Sequence, residues 1–255
     1  MGFRLTGRFW HSASFAFTRY GLWTFRPPTF IVLLGGPGAG KGTLAKELVP
    51  LIGLPHISTG DLFRKEVASG SALGRAVDPI LRSGGLVPDE ITIAVLAEEL
   101  SKFRNRHGAI IDGFPRTLPQ ALLLDNLFAG WGQELDFSLF LDGSNKDFEV
   151  RLSGRRTCSN KECGRTYHVE FKRPRVEGVC DTCKSPLIRR DDDAPEVVGP
   201  RLEKFRANNQ PIVDHHERRQ CLHRIKTTNQ DPEGHVLQQV LHILSKRGVR
   251  VKRAA

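Results

Sequence analysis

The feature that most constrains this chain is the join between residues 29–34 and the nine residues after them. Thr29–Leu34 reads TFIVLL, an unbroken apolar run rich in β-branched and aromatic residues. Such a run fits a strand covered on both faces, as a parallel sheet requires. It leads into GGPGAGKGT at Gly35–Thr43, after which Leu44, Leu48 and Leu51 recur at helical spacing. Gly35, Gly40 and Lys41 have the spacing of a phosphate-binding loop, with Gly42 in the usual Ser/Thr place and Thr43 one residue later. Glycines let successive backbone N–H groups turn onto phosphate oxygens without a Cβ in the way. The helix N-terminus adds partial positive charge, and a lysine here reaches the outer phosphates. Gly38, Ala39, Gly40, Lys41, Gly42 and Thr43 are therefore expected around nucleotide phosphates. Alone, the loop says no more than that.

Ala109–Ile111 and Phe137–Leu141 are further short apolar runs, and His223–Thr227 is a weaker one diluted by His223, Arg224 and Lys226. Helix-period segments lie between them at Thr43–Leu51, Pro88–Phe103, Thr117–Leu127, Lys146–Leu152, Glu196–His215 and Pro232–Leu244. Strands alternating with helices predict a doubly wound α/β fold, a central parallel sheet flanked by helices. A length of 255 residues suits one large domain of this kind. Two segments break the alternation: residues 58–87, polar and helix-rich, and residues 154–191, which carry cysteines, Pro174 and many charges. Long excursions in a compact domain are commonly functional.

The chain has 38 Lys+Arg against 28 Asp+Glu, a formal net charge of +10, which points to an anionic partner. Part of that excess has another source. Arg4, Arg8, Arg19 and Arg26 precede the first acid, Glu47. Residues 1–28 have the composition of a mitochondrial transit peptide, with residues 29–255 as the folded part. A plastid address, or an extension with no address and a cytoplasmic chain, fits the same composition. No apolar run is long enough to span a membrane, so no membrane partner is expected.

Four of the five cysteines fall in one window, Cys158, Cys163, Cys180 and Cys183, in the pattern C-x4-C-x16-C-x2-C. Two close pairs separated by a loop are what tetrahedral zinc coordination requires. Four thiolates leave no open position, so the Zn2+ expected there is structural. Two reduced pairs or a redox-dependent disulfide remain the alternatives. Cys221, far away in sequence, reads as an ordinary buried thiol.

Further strings follow the phosphate loop: HISTGDLFR at His56–Arg64, GGLVPDE at Gly84–Glu90, IIDGFPRT at Ile110–Thr117, RLSGRR at Arg151–Arg156, GRTYH at Gly164–His168 and RDDD at Arg190–Asp193. In this order the chain resembles adenylate kinases of the long-lid type over residues 30–245. That resemblance implies a P-loop nucleoside monophosphate kinase, with residues 58–87 as an NMP-binding insert and 154–191 as a zinc-binding lid. It implies reversible transfer of a phosphoryl group from ATP with Mg2+ to AMP, giving two ADP, by a monomer that binds no nucleic acid. Thr59, Arg64, Gly85, Leu86 and Val87 would line the AMP pocket. Gly113, Phe114, Pro115 and Arg116 would hold the AMP phosphate side, and Gln120 would read the adenine edge. Arg151 would lie against the donor's base, where Tyr167 is either a further contact or a lid-packing residue. Lys41, Arg116, Arg155, Arg190 and Arg201 would converge on the transferring phosphoryl group, Arg155 also on ATP and Arg190 and Arg201 also on AMP. Asp112, Asp192 and Asp193 would hold the waters of the magnesium ion.

The chemistry supports such a set independently. Phosphoryl transfer depends on positioning and charge stabilisation more than on covalent help from the protein. Arginine's permanent charge and planar fork suit phosphate oxygens. A GTP:AMP phosphotransferase is the nearest alternative within enzymes. A zinc-ribbon protein that binds nucleic acid without turnover is the alternative of another class. Two places depart from the family's pattern. Gly199-Pro200 either kinks the helix that carries Arg201 or starts it, leaving Arg201 in the first turn. TTNQDPEG at Thr227–Gly234 replaces the usual Asp-Gly with Asn229.

Overall fold

The computed structural model describes residues 28–104, 107–160, 163–232 and 234–252. The expected transit segment, residues 1–28, lies outside the described residues except for Pro28.

Strand β1 (Thr29–Gly35) runs through the middle of the molecule and leads by the glycine loop into helix α1 (Lys41–Ile52). There follow β2 (His56–Ser58), α2 (Thr59–Ser69), α3 (Ala72–Arg82), α4 (Asp89–Ser101), β3 (Gly108–Asp112), α5 (Leu118–Gly130), β4 (Phe137–Asp142) and α6 (Asn145–Ser153). A small separate sheet comes next, β5 (Arg155–Cys158), β6 (Thr166–His168) and β7 (Leu187–Ile188). A 3-10 turn at Asp191–Asp193, α7 (Pro195–Arg218), β8 (Leu222–Lys226) and α8 (His235–Lys246) complete the described elements.

The main sheet has the order β2-β3-β1-β4-β8, and every pairing is parallel. The alternation of β1 explains its layers. Ile31 and Leu33 face Leu44 and Leu48 of α1, Phe148 and Leu152 of α6, and Val240 and Leu244 of α8. Phe30, Val32 and Leu34 face Leu96 and Leu100 of α4, Leu124 and Phe128 of α5, and Ile212 and Val213 of α7. A strand covered on both faces has no polar side, which is why the run TFIVLL reads as uniformly apolar. Strand order reverses between β3–β1 and β1–β4, so the loops at the C-terminal ends of β1, β3 and β4 open onto one crevice.

β2 is absent from the sequence reading, because HIS offers one buried residue, Ile57, and no alternation to detect. It pairs with β3 in a register that sets Ser58 beside Asp112 and His56 beside Ile110. Ser58 also caps α2, its hydroxyl accepting from Asp61 N at 3.2 Å. α2 and α3 close over a small core of their own, Phe63, Val77 and Val87.

α7 decides between the two readings of Gly199-Pro200: the pair lies inside the helix that carries Arg201, not at its start. The helix starts with Pro195 and runs for 24 residues through Pro200 and Pro211. Pro195 occupies the first turn, where its missing N–H costs nothing, and Arg201 therefore stands in the second turn rather than the first. Among the described residues no helix is long and apolar enough to cross a membrane.

Candidate functional site

The glycine loop needs its glycines. Gly38 has φ +84°, and a Cβ on it would stand 2.6 Å from the carbonyl oxygen of Phe148, too close for any side chain. α1 opens from Gly40 without a side-chain cap, so its first amides point into the crevice. Lys41 folds back over the loop, Nζ donating to Gly35 O at 2.7 Å and Gly36 O at 2.9 Å. Burial lowers its pKa to about 8, with Arg116, Arg201 and Arg155 acting in the same direction and Asp112 against them. Those couplings place Lys41 within reach of a cluster of cations.

The cluster is held from two sides. Asp193 has a fully buried side chain. It accepts from Arg155 Nε at 2.7 Å and from Arg155 Nη2, while Arg201 Nη1 lies 3.4 Å from its Oδ1. Arg201 also pairs with Asp192 at 3.0 Å. Arg190 donates from Nε to Thr157 Oγ1 at 3.1 Å. Its pKa falls to about 10 through burial, then through the charges of Arg64 and Arg155. Arg116 donates to Gly113 O at 2.8 Å and is lowered by burial and by Arg201. Arg64 is paired with Asp61 at 2.6 Å. Cations that depress one another's pKa are crowded at a cost, and a polyanion among them offsets it. The structure thus brings Lys41, Arg64, Arg116, Arg155, Arg190 and Arg201 into one field.

Asp112 ends β3 against the phosphate loop, 3.7 Å from where a Cβ on Gly42 would stand. Burial acts to raise its pKa, but His56, with Nε2 3.5 Å from Oδ2, and Lys41 outweigh it and hold the carboxyl below its ordinary value. Asp192 and Asp193, expected with Asp112 to hold magnesium waters, stand in the arginine cluster: Asp193 takes Arg155 and Arg201, and Asp192 takes Arg201 through Oδ2.

Beside this field lies a cavity lined by Thr59, Gly85, Leu86, Val87, Gly113, Arg116 and Gln120, together with Gly60, Phe63, Leu81 and Thr92. Gly113 has φ +83°, and a Cβ there would meet Thr59 Oγ1 at 2.7 Å. Phe114 is fully buried behind it and joined to Pro115 by a cis peptide bond. Gln120, 2% exposed, is held at both ends: Oε1 accepts from Arg116 N at 2.7 Å and Nε2 donates to Asp89 Oδ1 at 2.7 Å.

The four clustered cysteines come together despite the wide first gap. Their sulfurs all lie within 4.8 Å of one another, with Cys158 and Cys183 3.2 Å apart and Cys163 and Cys180 3.7 Å apart. All are free thiols. A tetrahedron with Zn–S bonds of about 2.3 Å has edges of about 3.8 Å, so the donor set fits that ion. Tyr167, left open above between nucleotide and lid packing, is 5% exposed in this cluster. Its hydroxyl accepts from Asp181 N at 2.8 Å and lies 3.5 Å from Cys180 Sγ. Cys221 is buried, and burial raises its thiol to about 11.

Sequence reasoning passed over several contributors. His56, in HISTGDLFR, lies against Asp112 with Nε2 3.5 Å from Oδ2. Asp89 holds Gln120 across a gap of 31 residues. Thr228 and Asn229 hold Arg151, whose Nη2 donates to Thr228 O at 2.6 Å and Nε to Asn229 Oδ1 at 2.8 Å. None of these contacts has a local pattern that announces it.

A sequence model of the family described as Adenylate kinase matches residues 33–221. An adenylate kinase of Ruminiclostridium cellulolyticum is 44% identical over 188 residues, 74% of this chain and 87% of the relative. One of Thermosipho africanus is 43% identical over the same coverage. One of Thermodesulfovibrio yellowstonii is 42% identical over 217 residues, 85% of this chain and 99% of the relative. These relatives are bacterial, which corrects the mitochondrial address expected from residues 1–28 and points away from it. Each is an adenylate kinase, so the GTP:AMP alternative is not favoured and the nucleic-acid reading falls. With the match running from the phosphate loop through both inserts to the end of α7, this chain belongs to the adenylate kinase family.

Proposed function

We propose that this adenylate kinase moves the terminal phosphoryl group of ATP to AMP through the following division of labour. Gly38–Thr43 bind the ATP phosphates with their amides, and Lys41 bridges the outer ones. Arg151 lies against the donor's base. Thr59, Gly85, Leu86, Val87 and Gln120 enclose AMP, while Arg64 and Arg116 hold its phosphate. Arg155, Arg190 and Arg201 close over the transferring group. No general base is needed, because the attacking phosphate oxygen of AMP is already anionic at neutral pH. The field must neutralise two polyanions and align them, which is where fixed guanidinium forks are most effective.

Magnesium bound with the nucleotide would supply charge neutralisation, and Asp112, beside the phosphate loop, is the carboxylate that would hold its waters. Asp192 and Asp193 act by orienting Arg201 and Arg155. Residues 58–87 serve as the AMP-binding insert and residues 154–191 as a lid, whose sheet is too small to support a core and is tied together by structural Zn2+ on Cys158, Cys163, Cys180 and Cys183. Tyr167 packs within that lid.

The observation that carries this reading is the set of cations gathered at the glycine loop: Lys41 folds back over it onto Gly35 O and Gly36 O, Arg155 and Arg201 share the buried carboxylate of Asp193, and Arg116 lines the adjoining cavity. A coupled assay of ADP formation from ATP and AMP tests it. Lys41→Ala and Arg116→Ala should each reduce kcat/KM by more than about a hundredfold, in the range known for removing one transition-state charge contact. Near-wild-type turnover by either variant refutes the assignment.

A further inference from the structure

The turn after β8 holds its own shape. Thr228 N donates to Asp231 Oδ2 at 2.7 Å, Thr228 Oγ1 donates to Asp231 Oδ1 at 3.0 Å, and Gln230 N donates to Thr228 Oγ1 at 3.2 Å. Side chains here satisfy the backbone of a four-residue turn without help from a glycine. Arg151 of α6 lies on this platform. Besides its bonds to Asn229 Oδ1 and Thr228 O, its Nη1 reaches Ala39 O of the phosphate loop at 3.4 Å and Thr227 Oγ1 at 3.5 Å. A guanidinium on a long stem has wide rotamer freedom; two acceptors on adjacent nitrogens of its fork fix both its position and its plane.

We infer that Asn229 is a positioning residue for the donor nucleotide, its side-chain carbonyl setting the plane of the Arg151 guanidinium against which the donor's base rests. The inference depends on the proposed placement of Arg151 beside that base. Thr228 supplies a backbone acceptor that any residue would supply, so the short side-chain bond of the clamp falls on Asn229 at 2.8 Å, with Thr227 Oγ1 a longer contact at 3.5 Å. Asp231 acts one step back, by shaping the turn that presents Asn229. The role explains why an Asn-Gln-Asp sequence serves where a glycine turn would serve by conformation alone: the lost flexibility is exchanged for a fixed arginine.

The test is calorimetric titration with ATP alone, and separately with AMP alone, on wild type, Asn229→Ala, Asn229→Asp, Arg151→Ala and the double variant, with ADP formation measured alongside. Asn229→Ala should weaken ATP binding by about five- to tenfold, the loss expected for one hydrogen bond to a charged donor at a half-exposed site. Asn229→Asp keeps the acceptor and should stay within about twofold of wild type. The Asn229→Ala loss should vanish in the Arg151→Ala background, and AMP binding should not change. ATP binding within about twofold of wild type for Asn229→Ala overturns the inference. So does an equal loss for AMP, or the same loss on top of Arg151→Ala. If wild type bound both nucleotides but formed no ADP, the proposed function would fall, and the affinity ratios would still decide the role of Asn229.

Discussion

Replacing Asp193 by asparagine removes one negative charge from a carboxylate whose side chain is fully buried, while keeping its shape. Arg155 then keeps one carbonyl acceptor but loses its counter-ion and the second acceptor of its Nε and Nη2 pair, and Arg201 loses one of its two anions, retaining Asp192 at 3.0 Å. Breaking a buried pair costs about 3–5 kcal/mol because a charge is left uncompensated. Here the arginine side chains keep 20% and 15% of their exposure, and Asp192 remains, so the lower end, about 3 kcal/mol, is expected. For a chain of this size each kcal/mol lowers Tm by about 2–4 °C, which gives a fall of about 6–12 °C. Nucleotide should return part of that loss, since the phosphates supply the missing negative charge. Differential scanning calorimetry with and without ATP plus AMP should therefore show a larger ligand-induced rise in Tm for Asp193→Asn than for wild type. A Tm within about 2 °C of wild type without ligand would show that Asp193 is not the buried counter-ion that holds the arginines.

Gly38→Ala puts a Cβ 2.6 Å from Phe148 O at a left-handed φ, so steady-state kinetics should show KM for ATP raised at least about tenfold, with AMP binding little changed. Cys180→Ser should lower zinc content from one equivalent per chain to under half by elemental analysis, and shift Tm downward; an unchanged metal content refutes the cluster. His216 sets the low-pH behaviour. Burial, and then His215, lower it to about 4 from an ordinary 6.5, so the unfolded chain binds more protons between those values. That contribution is complete above pH 6.5 and is lost as pH falls towards 4, amounting to about 3 kcal/mol. Asp136 works in the opposite sense, because burial raises it to about 6 and its penalty grows as pH rises. Urea midpoints from pH 7 to pH 4 should decline less steeply for His216→Asn than for wild type; identical slopes refute the linkage.

What could be read from the residues, and what could not, divides along chemical range. β1 is legible because a strand buried on both faces is apolar throughout, and the loop after it because its glycines have fixed spacing. The short β2 is invisible, since three residues carry no period. The helical continuity through Gly199-Pro200 is also hidden locally: Pro195 starts α7 one turn earlier, and tertiary packing of Val198 and Leu202 carries the helix past the proline. Asp192, Asp193 and Tyr167 show a further limit. Their strings place them near the centre, but whether an acid faces a metal's water or an arginine depends on contacts 8 to 38 residues away in sequence. Across the wide first cysteine gap Gly164 N donates to Asn160 O at 2.9 Å, a contact with no signature in composition.

In the proposed placement of AMP, Gln120 meets the base as an amide held once at each end, by Arg116 N and by Asp89. One N–H and one carbonyl lone pair are left over, so a purine edge can bond them without displacing either partner. The two existing bonds fix the plane of the amide before the base arrives, and little side-chain freedom is lost on binding. A base without a matching donor and acceptor leaves those spare groups buried and unpaired, so selectivity comes from a reader set in advance.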